Sequence, residues 1–137
     1  MVEVPLVMNN SAFSPAQEIA GWRIGFAHWP EHSTCFLQTL NALRLAGALM
    51  VPVDVRWDEI DKCVIENRLD ALICQESSPA FLRARSTGNP SVSEVLEDGT
   101  RIWLYGAQWA GDRLSCLTRV LRQVLRQTLR LTTRLNT

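Results

Sequence analysis

Four side chains with reactive chemistry fall within a short stretch of this 137-residue sequence: His28, Glu31, His32 and Cys35. Cys35 is expected at the start of a helix. There, free backbone amides and the helix dipole favour the thiolate, and His28 or His32 could take up its proton. That arrangement describes a small enzyme with a cysteine nucleophile and a histidine base. The same residues admit a metal reading, with two imidazoles and one thiolate as ligands and Asp54 or Glu76 as a fourth. Pro30 keeps His28 and His32 off one regular helix face, so their four-residue spacing is not a ligand signature. They also admit a plainer reading. In it Cys35 is a small buried apolar residue and the imidazoles are satisfied by backbone. The plainer reading is preferred, and no metal or cofactor is expected.

A second polar cluster, Gln75, Glu76, Ser77 and Ser78, precedes Pro79. Free amides after Ser78 could hold a carboxylate or phosphate, or Ser78 could simply cap the helix that Pro79 opens. GxSxG, Walker and GxGxxG motifs are absent from the sequence. The four cysteines, Cys35, Cys63, Cys74 and Cys116, contain no CxxC pair. Free thiols in a reducing compartment are the simplest reading, which points to the cytoplasm.

These side chains must be carried by regular elements. Arg23 to Trp29, Leu49 to Val55, Leu69 to Cys74 and Arg101 to Gly106 read as apolar strands. Ser33 or Thr34 starts a helix that Gly47 ends, with Leu40 and Leu43 on its buried face. Asp58 caps a helix to Asn67, and Ser78-Pro79 opens a short one to Ala84. Ser91 and Glu94 read as a capping box, before a turn at Asp98-Gly99. Strands alternating with helices argue for a mainly parallel sheet inside a three-layer α/β sandwich. The expected strand order is 2-1-3-4, with residues 2–8 as a fifth strand. In such sheets ligands bind beyond the carboxyl ends of the strands. That nominates Trp29, Asp54, Glu76, Ser77, Ser78 and Tyr105 as ligand-binding residues.

The run RIGFA, a helix, VPVDV, the helix WDEIDKCVIENR and then LDALI resembles one lobe of a type-2 periplasmic binding protein. LysR-type effector domains share the pattern. The resemblance covers residues 23–77 and implies a ligand cleft near His28, Asp54 and Glu76. The piece LNALRLAGALMVPVDVRW is also locally similar to the N-terminal region of acyl-adenylating enzymes. Their Gly-rich phosphate loop is missing here, so that similarity is carried no further.

The formal net charge is zero, but it is unevenly divided. Residues 1–100 hold 7 Lys/Arg against 13 Asp/Glu, whereas residues 101–137 hold 7 Arg against the single Asp112. The chain divides accordingly into an α/β domain, 1–111, and a basic amphipathic helix, 112–137. Along that helix Leu114, Leu117, Leu121, Val124, Thr128, Leu131 and Leu135 recur at alternating steps of 3 and 4. A helix of about 22 residues spans about 33 Å, more than a four-strand sheet is expected to cover. Its far part should therefore meet a partner. Leu121, Val124, Leu125, Leu131, Arg122 and Arg126 are the expected contact, to a second copy or to an acidic protein. Nucleic acid and membrane are less favoured partners, since the chain as a whole is neutral and no apolar run is long enough to span a bilayer. The preferred functional reading is a small cytoplasmic regulatory protein acting through protein–protein or small-ligand binding, with the Cys35 enzyme as the alternative.

Overall fold

A computed structural model describes residues 18–53 and 59–135, with side chains through Arg126 in the last helix. The expectations for residues 2–8, for Asp54 and the Asp58 cap, and for the Leu131 side chain lie outside the described residues. Among these there are five strands and four helices. In chain order they are β1 (Arg23–Phe26), α1 (Thr34–Leu45), β2 (Leu49–Pro52), α2 (Ile60–Asn67), β3 (Ala71–Gln75), α3 (Pro79–Ala84), β4 (Ser91–Val95), β5 (Arg101–Tyr105) and α4 (Gly111–Leu135). No described helix is long and apolar enough to cross a membrane.

The sheet order is β2-β1-β3-β5-β4. The expected neighbours are therefore present, but the sheet is mixed. β1 pairs parallel with β2 and β3, whereas β5 pairs antiparallel with both β3 and β4. The antiparallel half arises from a hairpin that the sequence reading took for a helix start. Val92 and Leu96, four residues apart and so on one face of a strand, both pack in the core cluster. Leu96 then donates to Thr100 O at 2.7 Å, and Gly99 closes the three-residue loop at φ 88°. A left-handed third residue is the usual geometry of such a hairpin, and glycine adopts it without strain. Ser91 and Glu94 thus stand on a strand, not in a capping box.

Alternate residues of one strand serve opposite faces. On β3, Ala71 and Ile73 join a cluster with Phe36, Leu40 and Leu43 of α1 and Leu114, Leu117, Val120 and Leu121 of α4. Leu72 and Cys74 join the other cluster, with Ile60, Cys63 and Val64 of α2 and Ala80 and Ala84 of α3. Each helix forms for a local reason. Ser33 caps α1, its Oγ accepting from the Phe36 amide at 3.1 Å. Gly47, at φ 101°, then turns the chain into β2. Gly25 in β1 is required by packing. A Cβ there would come within 2.7 Å of Leu69 and Leu72 and 2.8 Å of Val53.

α4 is part of this core. Leu117, Val120 and Leu121 are fully buried. Ion pairs flank the apolar stripe. Arg113 meets Asp70, Arg119 meets Glu18, and Arg122 approaches Glu94 to 2.7 Å. The basic helix therefore neutralises acidic residues of its own body. This corrects the expectation that Leu121 faces a partner, whereas the Arg122 side chain stays 56% exposed. Leu121 is inside the molecule, because the sheet gains β4 and is wider than four strands. Arg122 is engaged by Glu94 on that added strand. Val124 and Leu125 are half-buried against the same core, and Arg126 is exposed.

Candidate functional site

The first loop brings its aromatic residues together more than its reactive ones. His32 packs edge-on to Trp29, ring centres 5.2 Å apart, and lies against Phe36 at 4.3 Å. Burial, reinforced by the charge of His28, lowers the His32 pKa below its usual value. Its Nε2 is buried without a hydrogen-bond partner among the described residues. His28 and Glu31 are exposed.

Cys35 follows the Ser33 cap by two residues, as expected, yet its chemical surroundings are different. Its pKa is raised, chiefly by desolvation; a backbone hydrogen bond from Asp98 works against the rise, and the carboxylates of Asp98 and Glu97 on the β4–β5 turn add to it. Acidic neighbours disfavour a thiolate, so the helix N-terminus is opposed where a nucleophile would need support. Among the described residues no three His, Cys, Asp or Glu side chains converge as a metal site would require. Asp54 lies outside them.

The polar groups at the carboxyl ends of β1 and β3 satisfy one another. The Ser33 amide donates to Gln75 Oε1 at 2.9 Å, and Gln75 Nε2 donates to Ser77 Oγ at 2.7 Å. Thr100 Oγ1 donates to Ser33 Oγ at 3.0 Å, and the Thr100 amide donates to Asp98 Oδ1 at 2.9 Å. Glu76 accepts from Trp103 Nε1 at 2.9 Å and lies 3.8 Å from Arg101 Nε. This network fastens the start of α1 to the end of β3 and to the hairpin turn. An open depression of about 420 Å³ lies beside it, lined by Gln75, Glu76, Ser77 and residues 98–101. Ser78 is fully buried and its Oγ makes no cap bond.

Tyr105 does not join this end of the sheet. β5 runs antiparallel to β3, so Ile102 stands opposite Gln75 while Tyr105 stands opposite Leu72. The reversal brings Asp98, Thr100 and Arg101 to the place where a parallel strand would have put Tyr105. Tyr105 instead stacks on Trp103 at 6.3 Å, and burial pushes its pKa up to about 12. Gln108, which follows β5, donates its amide to Asp61 at 3.0 Å.

Two clefts border α4. A groove of about 240 Å³ separates it from α1 and the hairpin, lined by Cys35, Thr39, Ala42, Val95, Leu96 and Leu125 among others. On its other side a broader cleft of about 420 Å³ is lined by Val92, Ser115, Thr118, Arg119, Arg122 and Arg126. Sequence reasoning singled out Arg122 and Arg126 but missed Val92 and the β4 edge beside them. The Asp98-Gly99 turn is the available signal.

No protein-family model matches the chain, and no curated protein sequence matches it. The fold defines a mixed α/β protein, and function has to be argued from its surfaces.

Proposed function

We propose that this chain works by binding rather than by catalysis, as a small cytoplasmic regulatory protein whose ligand is another polypeptide. Its helices sit on both faces of the sheet in a three-layer sense, and the binding side is the one formed by α4 and β4. The observation that carries this reading is the α4–β4 cleft. It keeps Arg119, Arg122 and Arg126 in a row at the surface, whereas the polar groups around Cys35 and Gln75 are spent on one another. An acidic partner is favoured over a second copy. Asp70, Glu94 and Glu18 are already held by the chain's own helix, so another copy offers less unpaired acidic surface.

The Cys35 enzyme gains no support from Asp98 and Glu97 as neighbours of the thiol. A small ligand at the strand ends, as the binding-protein resemblance of residues 23–77 implies, is a second reading. The open depression beside Glu76 and Arg101 favours it.

Selection of a random displayed-peptide library against the immobilised chain tests the proposal. Binders should be recovered that tolerate Cys35→Ser and weaken on Arg126→Glu. A selection yielding no binders, or binders that depend on Cys35 and ignore Arg126, overturns it.

A further inference from the structure

Among the described residues β4 is the last strand of the sheet on its side. Its ladder to β5 has a fixed parity. Leu96 donates to Thr100 O, and Gly106 donates to Pro90 O. Stepping by two from these pairs, Glu94 and Val92 are the residues that exchange hydrogen bonds with Ile102 and Leu104. The main-chain groups of Ser91, Ser93 and Val95 therefore point away from β5, and no described residue takes them. Natural edges are usually blunted by proline, lysine or a bulge. Ser91-Val-Ser-Glu-Val itself contains none of these, with Pro90 just before it and Glu94 as its one charge.

α4 runs beside this edge in the same direction. Ser115 and Thr118 share the cleft with Val92, Arg122 meets Glu94, and Leu125 and Arg126 reach Val95 and Glu97. Arg119, Arg122 and Arg126 thus form a row parallel to the strand. The rise from Arg119 to Arg126 is about 10 Å, at about 1.5 Å per residue. Side chains on one face of a strand repeat about every 6.8 Å. Two carboxylates at alternate positions of an added strand would fall along this row. The Arg119 and Arg122 side chains are 57% and 56% exposed despite their internal partners, and Arg126 has no ion pair among the described residues. A guanidinium carries five donors, so an existing pair leaves room for a second carboxylate.

We propose that the outer edge of β4, which no described residue pairs, and the arginine row of α4 together bind an extended acidic peptide as an added strand, with acidic residues at alternate positions facing α4. The main-chain groups of Ser91, Ser93 and Val95 supply strand pairing, and the arginines read the charge. This rests on the polypeptide-binding reading above and specifies its partner. An anionic nucleic acid would use the arginines but not the strand edge.

Fluorescence anisotropy of the full chain with a labelled TEVEVET peptide tests it, beside TKVKVKT and an oligo-dT strand. TEVEVET should bind, more weakly as salt is added, and TKVKVKT should not. Ser93→Pro removes an amide the fold does not use in its ladder and should weaken binding about tenfold, the worth of about one hydrogen bond. N-methylation of the peptide amides facing β4 should do the same with the protein unaltered, so a folding defect in the variant cannot decide the outcome. Absence of TEVEVET binding up to about 1 mM, a range where even weak recognition registers, overturns the proposal. So does equal binding of TKVKVKT, indifference to N-methylation, or stronger binding of oligo-dT. If the edge is instead closed by a second copy, sedimentation equilibrium will show a dimer that Ser93→Pro dissociates, and the proposal fails. Library binders that need Arg126 but are neither extended nor acidic would sink this inference while leaving the broader binding function standing.

Discussion

Leu117→Ala should destabilise the chain more than the removal of all three ion pairs that hold α4. Leu117 is fully buried, in one cluster with the β5 residues Ile102 and Leu104 and the α1 residues Phe36, Leu40 and Leu43. Cutting it to alanine removes three carbons from a site walled by two helices and a sheet, which can collapse little. Such truncations cost about 2–5 kcal/mol, and the enclosure places this one at about 3–4 kcal/mol. The ion pairs work in another regime. Their arginine side chains are 56–59% exposed, and pairs of that kind contribute about 0.2–1 kcal/mol each after solvent screening. Three together should contribute about 1–2 kcal/mol. Urea denaturation followed by circular dichroism should therefore show a larger midpoint shift for Leu117→Ala than for the triple change Arg113→Gln, Arg119→Gln and Arg122→Gln. High salt should reproduce most of the smaller shift. If the triple variant loses more than Leu117→Ala, α4 is held by charge. The argument that its arginines remain free to engage a partner then collapses.

Gly25→Ala forces a methyl group against Leu69, Leu72 and Val53. The overpacking cost of about 1–3 kcal/mol should exceed the backbone gain of about 0.5–1 kcal/mol, lowering the urea midpoint; an unchanged or higher midpoint would contradict the packing of β1. His32 has a lowered pKa in the folded chain, so the unfolded chain binds its proton more readily. Stability from this group is complete above about pH 6.5 and is lost as pH falls below it. Thermal midpoints at two pH values, compared with His32→Gln, should show that loss only when the imidazole is present. Native alkylation read by peptide mass spectrometry should label the partly exposed Cys35 and Cys116 ahead of Cys63 and Cys74. Cys74 is fully buried, with its pKa pushed up to about 12. Cys35 modified much faster than Cys116 would revive the nucleophile.

The parallel half of the sheet was legible because its signals are local. The Ser33 cap, Gly47 and the apolar runs around Ile24, Leu72 and Ile73 each mark an element without reference to the rest of the chain. The hairpin is hidden because Ser91 and Glu94 have the spacing of a capping box, while the strand is only five residues long and its two valines, three apart, do not alternate. That one error propagated to the site. With RIWLY taken as parallel, Tyr105 was placed with Glu76, and Arg101 and Thr100 were placed away from it. The surroundings of Cys35 were not legible either. Its acidic neighbours lie more than 60 positions away and are delivered by the hairpin turn. The leucine seam of α4 correctly announced an apolar face, but periodicity does not say whether a face meets its own sheet or another chain.

Amide hydrogen exchange at β4 tests the central claim most directly. In the free chain the amides of Ser91, Ser93 and Val95 should exchange rapidly, while those of Val92 and Glu94, tied into the ladder with β5, exchange slowly. With saturating TEVEVET peptide, the three outward amides should slow about tenfold or more, the change expected when each gains a hydrogen bond. Bound peptide that leaves Ser91, Ser93 and Val95 exchanging as before would show that the edge of β4 is not where this protein meets its partner.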